Sequence, residues 1–554
     1  MHNMGDKITG GRAIIEAARA NGMTTIFGVP GVQIYPLFDA LHGSTVDLIV
    51  PRHEQAAAYM AMGYAKSTGR TGVFTVVPGP GVLNAAAALC TAMGNCSPVV
   101  CLTGQVPSSF LGQGRGHLHE LADQPGTLRT FIKDAWRIDA AADTSAIVNK
   151  AFRSARSGRP GPVAVEMCWD TMAAEAAIAI GRADPVETAA EVDPAALEAA
   201  AKLLAGAKKP MIMCGAGAQH AAAEVLALAE TLQAPVTAFR SGRGVVAEDH
   251  PLGVAAVAAR ELWDEVDVLV GVGSRLEMPY MRWRDPLRYE RKPAGPKLIR
   301  IDIEPAEMRR LTPDVGIVAD SATACALLAE RLSTRVRPNH ERRTEIEGAK
   351  RLAQSAIERI QPQTAYLQAI RAVLPRDGLL IPELSQVGFT TYTGAFPVLA
   401  PRTYISEGFQ GTLGFGFPTA LGVKVANPTK AVVSITGDGG FMFGLQELAT
   451  AAQYRIALVT ILFNNHSYAN VLRDQQLQFN GRTIGSRLSN PDFVRLAESF
   501  GVAAERVMNP AGLQHALERA LGSDRPALLE VAMEPGTETS PWNCIHMRTP
   551  CSAG

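Results

Sequence analysis

The sequence predicts an α/β protein built from three doubly wound domains, each with a parallel sheet. Strand-like apolar runs alternate with alanine-rich helical segments along the whole chain, a pattern typical of strand–helix–strand units. The 554 residues exceed one ordinary domain, and at about 100–200 residues per domain three is the expected number. Hydrophobic residues at 47% and charged residues at 19% suffice for large buried cores.

Two linker-like segments divide the chain. Residues 173–193 are rich in Ala, Glu and Asp and follow a predicted strand, and residues 335–361 are strongly charged. These segments predict a first domain over 1–175, a middle domain over 190–335, a third domain over 360–545, and a short tail over 540–554 that is a candidate lid.

The composition argues against several classes of protein. Lys+Arg and Asp+Glu balance at 53 each, so no nucleic-acid partner is expected. No apolar run reaches the ~18–20 residues of a membrane span, and the polar N-terminus has no signal-peptide core. Eight scattered cysteines without a CxxC pair fit reduced thiols. We therefore expect a cytoplasmic protein without a membrane partner.

The first and third domains have similar patterns. Residues 72–81 form a strand and a Gly-rich turn, followed by a helix and a second strand at 97–104, and residues 432–440 begin the same order. This similarity predicts one fold used twice. Only the third domain carries an aspartate after its first strand and two asparagines after its second.

These polar residues predict a metal site. Asp438 follows the apolar run 431–436, and Asn464-Asn465 follows the run 456–463. In a parallel sheet both run ends lie at the same edge. The Asp438 carboxylate, the Asn465 amide and the Ser467 carbonyl would supply half of the oxygen shell that Mg²⁺ requires, and a diphosphate would complete it.

The glycines around Asp438 fit an anion site. Gly437, Gly439 and Gly440 let the backbone approach a phosphate closely, and the following helix offers its first amides. The alternative is an ordinary strand–helix turn with a capping aspartate. The spacing to the two asparagines across a full strand–helix–strand crossover favours the metal site.

The same element resembles the GDG…NN motif of thiamine diphosphate-dependent enzymes. Five further segments occur in the order expected for the acetolactate synthase branch of that family, namely Phe27–Gly31, Pro51–Gln55, Pro78–Asn84, Leu102–Pro107 and Gly411–Pro418. The resemblance implies a pyrimidine-binding domain, a middle domain and a diphosphate-binding domain, with thiamine diphosphate and Mg²⁺ as cofactors. It also implies a homodimer or homotetramer whose active sites lie between the first domain of one subunit and the third of another.

The resemblance assigns the central catalytic roles. Glu54 matches the glutamate that hydrogen-bonds the aminopyrimidine ring, and Leu413 matches the apolar residue that holds the cofactor bent. Taken alone, Glu54 is a charge complementing a helix dipole, and Leu413 is a core residue. Further implied cofactor contacts are Gly31, Pro80, Asn84, Gly388, Thr390, Gly411, Gly437, Gly439, Gly440, Tyr468, Ala469 and Asn470.

On the substrate side, His117 and His119 lie where the synthases place a glutamine-bearing active-site loop. A histidine there can move protons near neutral pH, and an exposed loop histidine is the alternative. Asn470 and Asp474 replace a Met and a Trp of the synthases, which argues against acetolactate formation itself. Relatives bind FAD or a CoA or ADP group in the middle domain, and the sequence leaves FAD, CoA and no ligand open as alternatives here.

The leading hypothesis is a thiamine diphosphate- and Mg²⁺-dependent lyase or transferase acting on a 2-oxo acid, by decarboxylation or carboligation. The alternative is an enzyme of the 2-hydroxyacyl-CoA lyase or oxalyl-CoA decarboxylase type, which a basic pocket in the middle domain would favour. A third possibility is a non-catalytic relative, against which Glu54, Asp438 and Asn465 argue.

Overall fold

A computed structural model describes residues 7–187, 189–283, 295–337, 339 and 341–546. The predicted tail beyond residue 546 lies outside the described residues. No helix in these ranges is long and apolar enough to cross a membrane.

The first domain has a parallel six-stranded sheet in the order β3-β2-β4-β5-β7-β6. Its strands, together with the antiparallel pair β1 and β8, are β1 Lys7–Thr9, β2 Thr25–Gly28, β3 Asp47–Ile49, β4 Gly72–Val76, β5 Val99–Gln105, β6 Asp134–Ile138, β7 Val163–Cys168 and β8 Glu175–Ala177. Its helices are α1 Gly10–Ala20, α2 Tyr35–Leu41, α3 Glu54–Thr68, α4 Pro80–Asn84, α5 Ala86–Gly94, α6 Gln124–Arg129, α7 Thr144–Arg156 and α8 Trp169–Ala173.

The middle domain has a second parallel six-stranded sheet in the order β11-β10-β9-β12-β13-β14. Its strands are β9 Pro210–Cys214, β10 Val236–Ala238, β11 Gly253–Val254, β12 Val268–Val272, β13 Lys297–Asp302 and β14 Val315–Val318. Its helices are α9 Pro194–Ala205, α10 Ala222–Leu232, α11 Ala256–Glu261, α12 Pro305–Arg310 and α13 Ser321–Leu332, and α14 Glu341–Ile357 leads to the third domain.

The third domain has a parallel five-stranded sheet in the order β15-β16-β17-β19-β18. Its strands are β15 Leu379–Pro382, β16 Val432–Gly437, β17 Val459–Asn464, β18 Ala503–Val507 and β19 Ala527–Ala532. Its helices are α15 Gln363–Val373, α16 Gln386–Thr390, α17 Gly416–Ala426, α18 Asp438–Phe441, α19 Leu448–Gln453, α20 Ala469–Gln478, α21 Phe493–Ser499, α22 Pro510–Gly522 and α23 Trp542–Ile545.

These sheets confirm the predicted fold class. Strands such as β4, β5 and β17 are buried along their whole length, as expected for parallel strands covered by helices on both faces. The first and third domains also pack directly on each other through α3 and α17. Gly63 and Gly422 allow this approach. A Cβ atom at Gly63 would lie 2.3 Å from Thr419 O, and one at Gly422 would lie 2.1 Å from Met60 O.

Candidate active site

The register of β16 and β17 brings the two predicted run ends together. Gly437 pairs with Phe463 in parallel register, so Asp438 and Asn465 follow their strands at the same edge of the sheet. The prediction that these side chains share an edge is confirmed. Ligands bind outside the carboxyl ends of strands in such folds, which makes this edge the candidate site.

The single crossover helix predicted after Asp438 is wrong. The connection consists of α18, a 3₁₀ turn over Leu445–Glu447 and α19. Glycines weaken a continuous helix here. Two of them are also required by packing, because a Cβ atom at Gly439 would lie 2.5 Å from the Tyr468 ring and one at Gly440 would lie 2.4 Å from Glu383 Oε1.

Asp438 is a buried carboxylate with no Lys or Arg partner among the described residues. Its residue surface is 2% exposed, and Asn490 Nδ2 donates hydrogen bonds to both Asp438 Oδ2, at 2.7 Å, and Asn464 Oδ1, at 2.9 Å. No Lys or Arg ion pair with Asp438 occurs in the described parts of the chain. Burial raises the pKa of Asp438, and the Asn490 hydrogen bond only partly opposes this rise. A divalent cation would offset that cost.

Asn465 is held by a second buried carboxylate. Its Nδ2 donates to Glu538 Oε2 at 2.6 Å, and its Oδ1 accepts from the amide and hydroxyl of Ser467 at 3.1 and 3.0 Å. Burial raises the pKa of Glu538, and the nearby charge of Asp438 raises it further. The oxygens of Asp438, Asn465 and Ser467 are hard ligands, and the two carboxylates give the site an excess of negative charge, so the site fits Mg²⁺. In that case Asn465 Oδ1 would use one lone pair for Ser467 and the other for the ion.

The turn that carries Leu413 depends on two glycines. Gly411 and Gly414 have φ angles of +59° and +81°, which L-residues with side chains rarely adopt. A Cβ atom at Gly414 would also lie 2.5 Å from Phe443 Cβ. Leu413 is half-buried between them, so the chain can present this side chain at the surface of the site.

The buried carboxyl group of Glu383, at the end of β15, gives stability a defined pH dependence. Burial is the main reason why its pKa rises from 4.5 to about 7, and the charge of Glu407 adds to the rise. Between these two values the folded protein holds a proton that the unfolded chain has lost, so the free energy of unfolding falls as the pH rises through this window. We expect E383Q to flatten this fall in urea titrations from about pH 5 to pH 7.5. An unchanged slope in E383Q would contradict this assignment.

The first domain places Glu54 at the start of α3. Both carboxylate oxygens of Glu447, in the third domain, accept from Arg52 N at 3.0 Å and so fix the segment before the helix. Asn84 Nδ2 donates to Glu54 Oε2 at 3.0 Å. The predicted residues Glu54 and Asn84 therefore lie together, at the junction of α3 and α4.

His119 packs against Gly79, just before α4 of the first domain. Its φ angle is +67°, and its carbonyl packs where a Cβ atom at Gly79 would lie, 2.6 Å away. Gln33 donates through Nε2 to Leu118 O at 3.0 Å, so its Oε1 accepts from His119 Nδ1 at 3.1 Å. This assignment leaves Nε2 of His119 able to accept a proton.

His117 is held by its own loop. Its ring packs on Phe110 with centroids 4.8 Å apart, and its backbone amide donates to Glu120 Oε2 at 2.9 Å. No ring hydrogen bond joins His117 to Glu54 or Asn84 in the ranges that the structure covers. A catalytic role for His117 therefore has no geometric support.

Thr390 and Gly388 have internal structural functions. The Thr390 side chain is fully buried and its Oγ1 donates to Gln386 O at 2.7 Å within α16. Gly388 is required because a Cβ atom there would lie 1.8 Å from Glu383 O. These contacts account for Thr390 Oγ1 and for the glycine at 388, and the contacts of both residues with a diphosphate stay a prediction.

The remaining predicted contacts fall at the same two sheet edges. In the first domain, Gly31 follows β2, and Pro80 begins α4 shortly after β4. In the third domain, the Tyr468 ring packs over Gly439, and Ala469 begins α20. The structure thus groups the predicted residues into a first-domain half-site around Glu54 and a third-domain half-site around Asp438.

The side of the third-domain half-site that is formed by α20 is polar. Asn470 Oδ1 accepts from Trp542 Nε1 at 2.9 Å and from Arg473 Nη2 at 2.5 Å. Asn470 Nδ2 donates to Asp474 Oδ2 at 3.1 Å, and Arg473 Nη1 donates to Gln386 Oε1 at 3.1 Å. Because these groups satisfy each other, a pocket formed here would be polar and not lined by the Met and Trp of the synthases.

The C-terminal segment packs over this polar side. The Trp542 ring lies 4.9 Å from the Phe389 ring, centroid to centroid. Thr539 N donates to Gln361 O at 3.0 Å, which fixes the segment just before α23. The segment therefore borders the third-domain half-site, and a lid motion stays a prediction.

A cavity of about 510 Å³ lies where the three domains meet. Its cationic lining residues are Lys66, Arg156, Arg159, Arg240, Arg275 and Arg402. Of these, only Arg240 forms ion pairs with carboxylates among the described residues, at 3.6 Å to Glu407 and 3.7 Å to Glu277. Five carboxylates also line the cavity, so its wall carries charges of both signs, namely those of the six cations and of Glu187, Glu277, Asp302, Glu307 and Asp320.

Sequence reasoning missed four side chains at the third-domain half-site, namely Glu383, Arg473, Asn490 and Glu538. Glu383 had a usable signal, because it ends the apolar run Leu379–Pro382 at the same sheet edge as Asp438. Asn490 and Glu538 come from loops far along the chain and match no motif.

Comparisons with known proteins identify the family of the chain. Profiles described as thiamine pyrophosphate enzyme domains match residues 8–126 (N-terminal TPP binding domain), 197–328 (central domain) and 386–531 (C-terminal TPP binding domain). The chain belongs to the family of thiamine pyrophosphate (thiamine diphosphate)-dependent enzymes, which confirms the resemblance seen in the motifs. It is an enzyme that uses this cofactor to form or break carbon–carbon bonds.

Its relatives include synthases and a decarboxylase. The chain is 34% identical to a probable acetolactate synthase large subunit of Methanocaldococcus jannaschii, over 95% of this chain and 92% of that protein. It is 32% identical to the acetolactate synthase isozyme 2 large subunit of Escherichia coli, over 95% and 96%. It is also 32% identical to a probable 2-ketoarginine decarboxylase of Pseudomonas aeruginosa, over 95% and 94%.

Proposed function

We propose that the chain is a Mg²⁺-dependent enzyme that decarboxylates a 2-oxo acid or joins its acyl part to a second carbonyl compound. The observation that carries this proposal is the buried Asp438 carboxylate, which lacks a cationic partner among the described residues and lies at the same sheet edge as Asn465. When bound, thiamine diphosphate supplies a carbon nucleophile and an electron sink.

The residues of the chain would divide the remaining work. Asp438, Asn465 and the Ser467 carbonyl hold Mg²⁺ and, through it, the diphosphate. Leu413 would support the bound cofactor. Glu54, kept in place by Asn84 and by the start of α3, shares a proton with the pyrimidine ring. His119 Nε2 accepts or returns a proton near the substrate.

The substrate proposal rests on the relatives and on the polar side around Asn470. Acetolactate synthases and a 2-ketoarginine decarboxylase are among the similar proteins. The polar contacts of Asn470 and Arg473 favour a 2-oxo acid with a polar side chain over one with a small apolar side chain. The test is to load the protein with thiamine diphosphate and Mg²⁺ and to measure CO₂ release from a panel of 2-oxo acids. No release from any of them would contradict the proposal.

The two half-sites are proposed to meet across a subunit interface. Large apolar side chains are exposed beside both, at Tyr35, Leu83 and Leu118 in the first domain and at Met442, Phe443 and Val471 in the third. Exposed apolar groups of this kind mark interaction surfaces. We infer that a second copy of the chain covers them, in a homodimer or homotetramer.

Sedimentation velocity should therefore show the active protein as a dimer or tetramer. L83E should weaken association by at least about tenfold, because it buries an unpaired charge beside Asn84. The matched control is L352E, since Leu352 is also exposed but lies on α14. A fully active monomer, or equal effects of the two substitutions, would refute the shared site.

A CoA thioester substrate is the second candidate, and three cations of the cavity favour it. Lys66, Arg275 and Arg402 form no ion pair among the described residues and suit the phosphates of such a group. The same loaded protein should be offered 2-hydroxyacyl-CoA and oxalyl-CoA, with aldehyde or CO₂ release as the measurement. Turnover of these compounds, without turnover of free 2-oxo acids, would replace the first proposal by the second.

A further inference from the structure

Glu383 lies beneath the third-domain half-site and joins three of its segments. Its Oε1 accepts from Gly414 N at 2.5 Å, and its Oε2 accepts from Thr436 Oγ1 at 2.7 Å. The backbone of Gly416 packs against this carboxyl group as well. One side chain therefore holds the turn of Leu413, the start of α17 and the end of β16.

The glycines around Glu383 show how closely these segments surround it. A Cβ atom at Gly440 would lie 2.4 Å from Glu383 Oε1, and one at Gly416 would lie 2.9 Å from Oε2. The residue is 2% exposed, and no ion pair includes it in the described ranges. No cation within those ranges therefore neutralises the carboxyl group. Its hydrogen-bond donors come from the Leu413 turn and from the end of β16.

This arrangement lowers the stability of the fold, so we ask what the contacts contribute to the site. A buried carboxyl group that lacks a counter-ion lowers stability relative to an apolar residue. The bonded Gly414 amide directly follows Leu413, and the Gly437–Gly440 turn packs against the same carboxyl group. Movement of Glu383 would therefore change the distance between the residue that bends the cofactor and the turn that receives its diphosphate.

We propose that Glu383 is a positioning residue that fixes the Leu413 turn relative to the Gly437–Gly440 turn and thereby sets the bend of the bound cofactor. This inference rests on the proposed function. Glutamine keeps the size of Glu383, but its amide nitrogen cannot accept the bonds that one carboxylate oxygen accepts. E383Q therefore offers a neutral amide oxygen to only one of the two donors, Gly414 N and Thr436 Oγ1, although the Thr436 hydroxyl can accept from the amide nitrogen instead.

The first test needs no cofactor. Amide hydrogen exchange, followed by mass spectrometry on peptides that cover residues 411–417, reports the bond made by Gly414 N. Above about pH 7, where Glu383 is mostly ionised, this amide should exchange roughly tenfold faster in E383Q, since a bond to a charged oxygen is lost or replaced by a weaker bond to a neutral amide. E407Q is the control, because Glu407 is another buried glutamate of this domain that pairs with Tyr392 and Arg240 instead.

The second test separates positioning from simple stabilisation. The C2 proton of bound thiamine diphosphate should exchange with solvent about 10–100-fold more slowly in fully loaded E383Q, because a displacement near 1 Å costs about that much. T436V, which removes one donor, should slow exchange less, and T436S should restore it. E407Q should exchange as the wild type does.

The measured exchange rates decide between a positioning role and a purely stabilising role for Glu383. If loaded E383Q exchanges the C2 proton at the wild-type rate, Glu383 serves stability alone and the inference is wrong. Should E383Q fail to fold, equal wild-type rates in T436V and T436S would overturn the inference in the same way. If the wild-type protein itself does not bind thiamine diphosphate, the proposed function fails instead. Faster amide exchange in both E383Q and E407Q would also overturn the inference, since the effect would not be specific to the Leu413 turn.

Discussion

Replacement of Asp438 by alanine is expected to abolish retention of thiamine diphosphate. The carboxylate is the one charged member of the proposed metal shell, and its loss removes the main attraction for Mg²⁺ and, through the ion, for the diphosphate. Loss of a buried charge partner costs at least about 3 kcal/mol, or about 10²-fold in affinity. Equilibrium dialysis of the cofactor with Mg²⁺ present and absent measures the effect.

The control for this variant is D377A. Asp377 is in the same domain but is exposed, and its ion pair with Lys430 is a surface contact at 3.8 Å. D377A should retain the cofactor as the wild type does. D438A should also lose the dependence of cofactor affinity on Mg²⁺. Wild-type affinity in D438A would remove Asp438 from the metal site.

Replacement of Glu54 by glutamine is expected to slow C2 proton exchange in bound thiamine diphosphate by about 10²–10⁴-fold, the usual contribution of one positioned acid–base group. Glutamine preserves the hydrogen bond with Asn84 and the start of α3, so E54Q should fold, associate and bind the cofactor. It cannot pass a proton to and from the pyrimidine ring. Hydrogen–deuterium exchange followed by NMR after acid quench measures the rate.

E16Q is the matched control for Glu54. Glu16 lies on α1 of the same domain and forms an ion pair with Arg19, three residues away on the same helix. Its replacement should leave C2 exchange unchanged. If fully loaded E54Q exchanged as fast as E16Q, Glu54 would have a structural role only, and the proposed proton transfer would be wrong.

Sequence-based prediction succeeds best where the geometry of a parallel sheet relates distant parts of the chain. Asp438 and Asn465 each end an apolar run, and the regular register of parallel strands places such run ends at one edge. Glu54 and Asn84 are identified only through the family motifs. Their contact depends on how α4 packs beside α3, which no local pattern reveals.

The features that the sequence does not reveal have physical causes as well. Glycines 439 and 440 suit anion approach, but Tyr468 and Glu383 also require them by close packing. Asn490 and Glu538 hold Asp438 and Asn465 from 52 and 73 residues away in the chain. Such contacts are set by tertiary packing, so single-sequence reasoning does not reach them.

The most direct test of the account is a crystal structure of the protein with thiamine diphosphate and Mn²⁺ in place of Mg²⁺, measured for anomalous scattering. We expect one strong peak within coordination distance of Asp438 and Asn465 side-chain oxygens and of diphosphate oxygens, with Glu54 of a second copy of the chain against the pyrimidine ring. A cofactor bound without an ion at Asp438, or with its pyrimidine away from Glu54, would contradict the account.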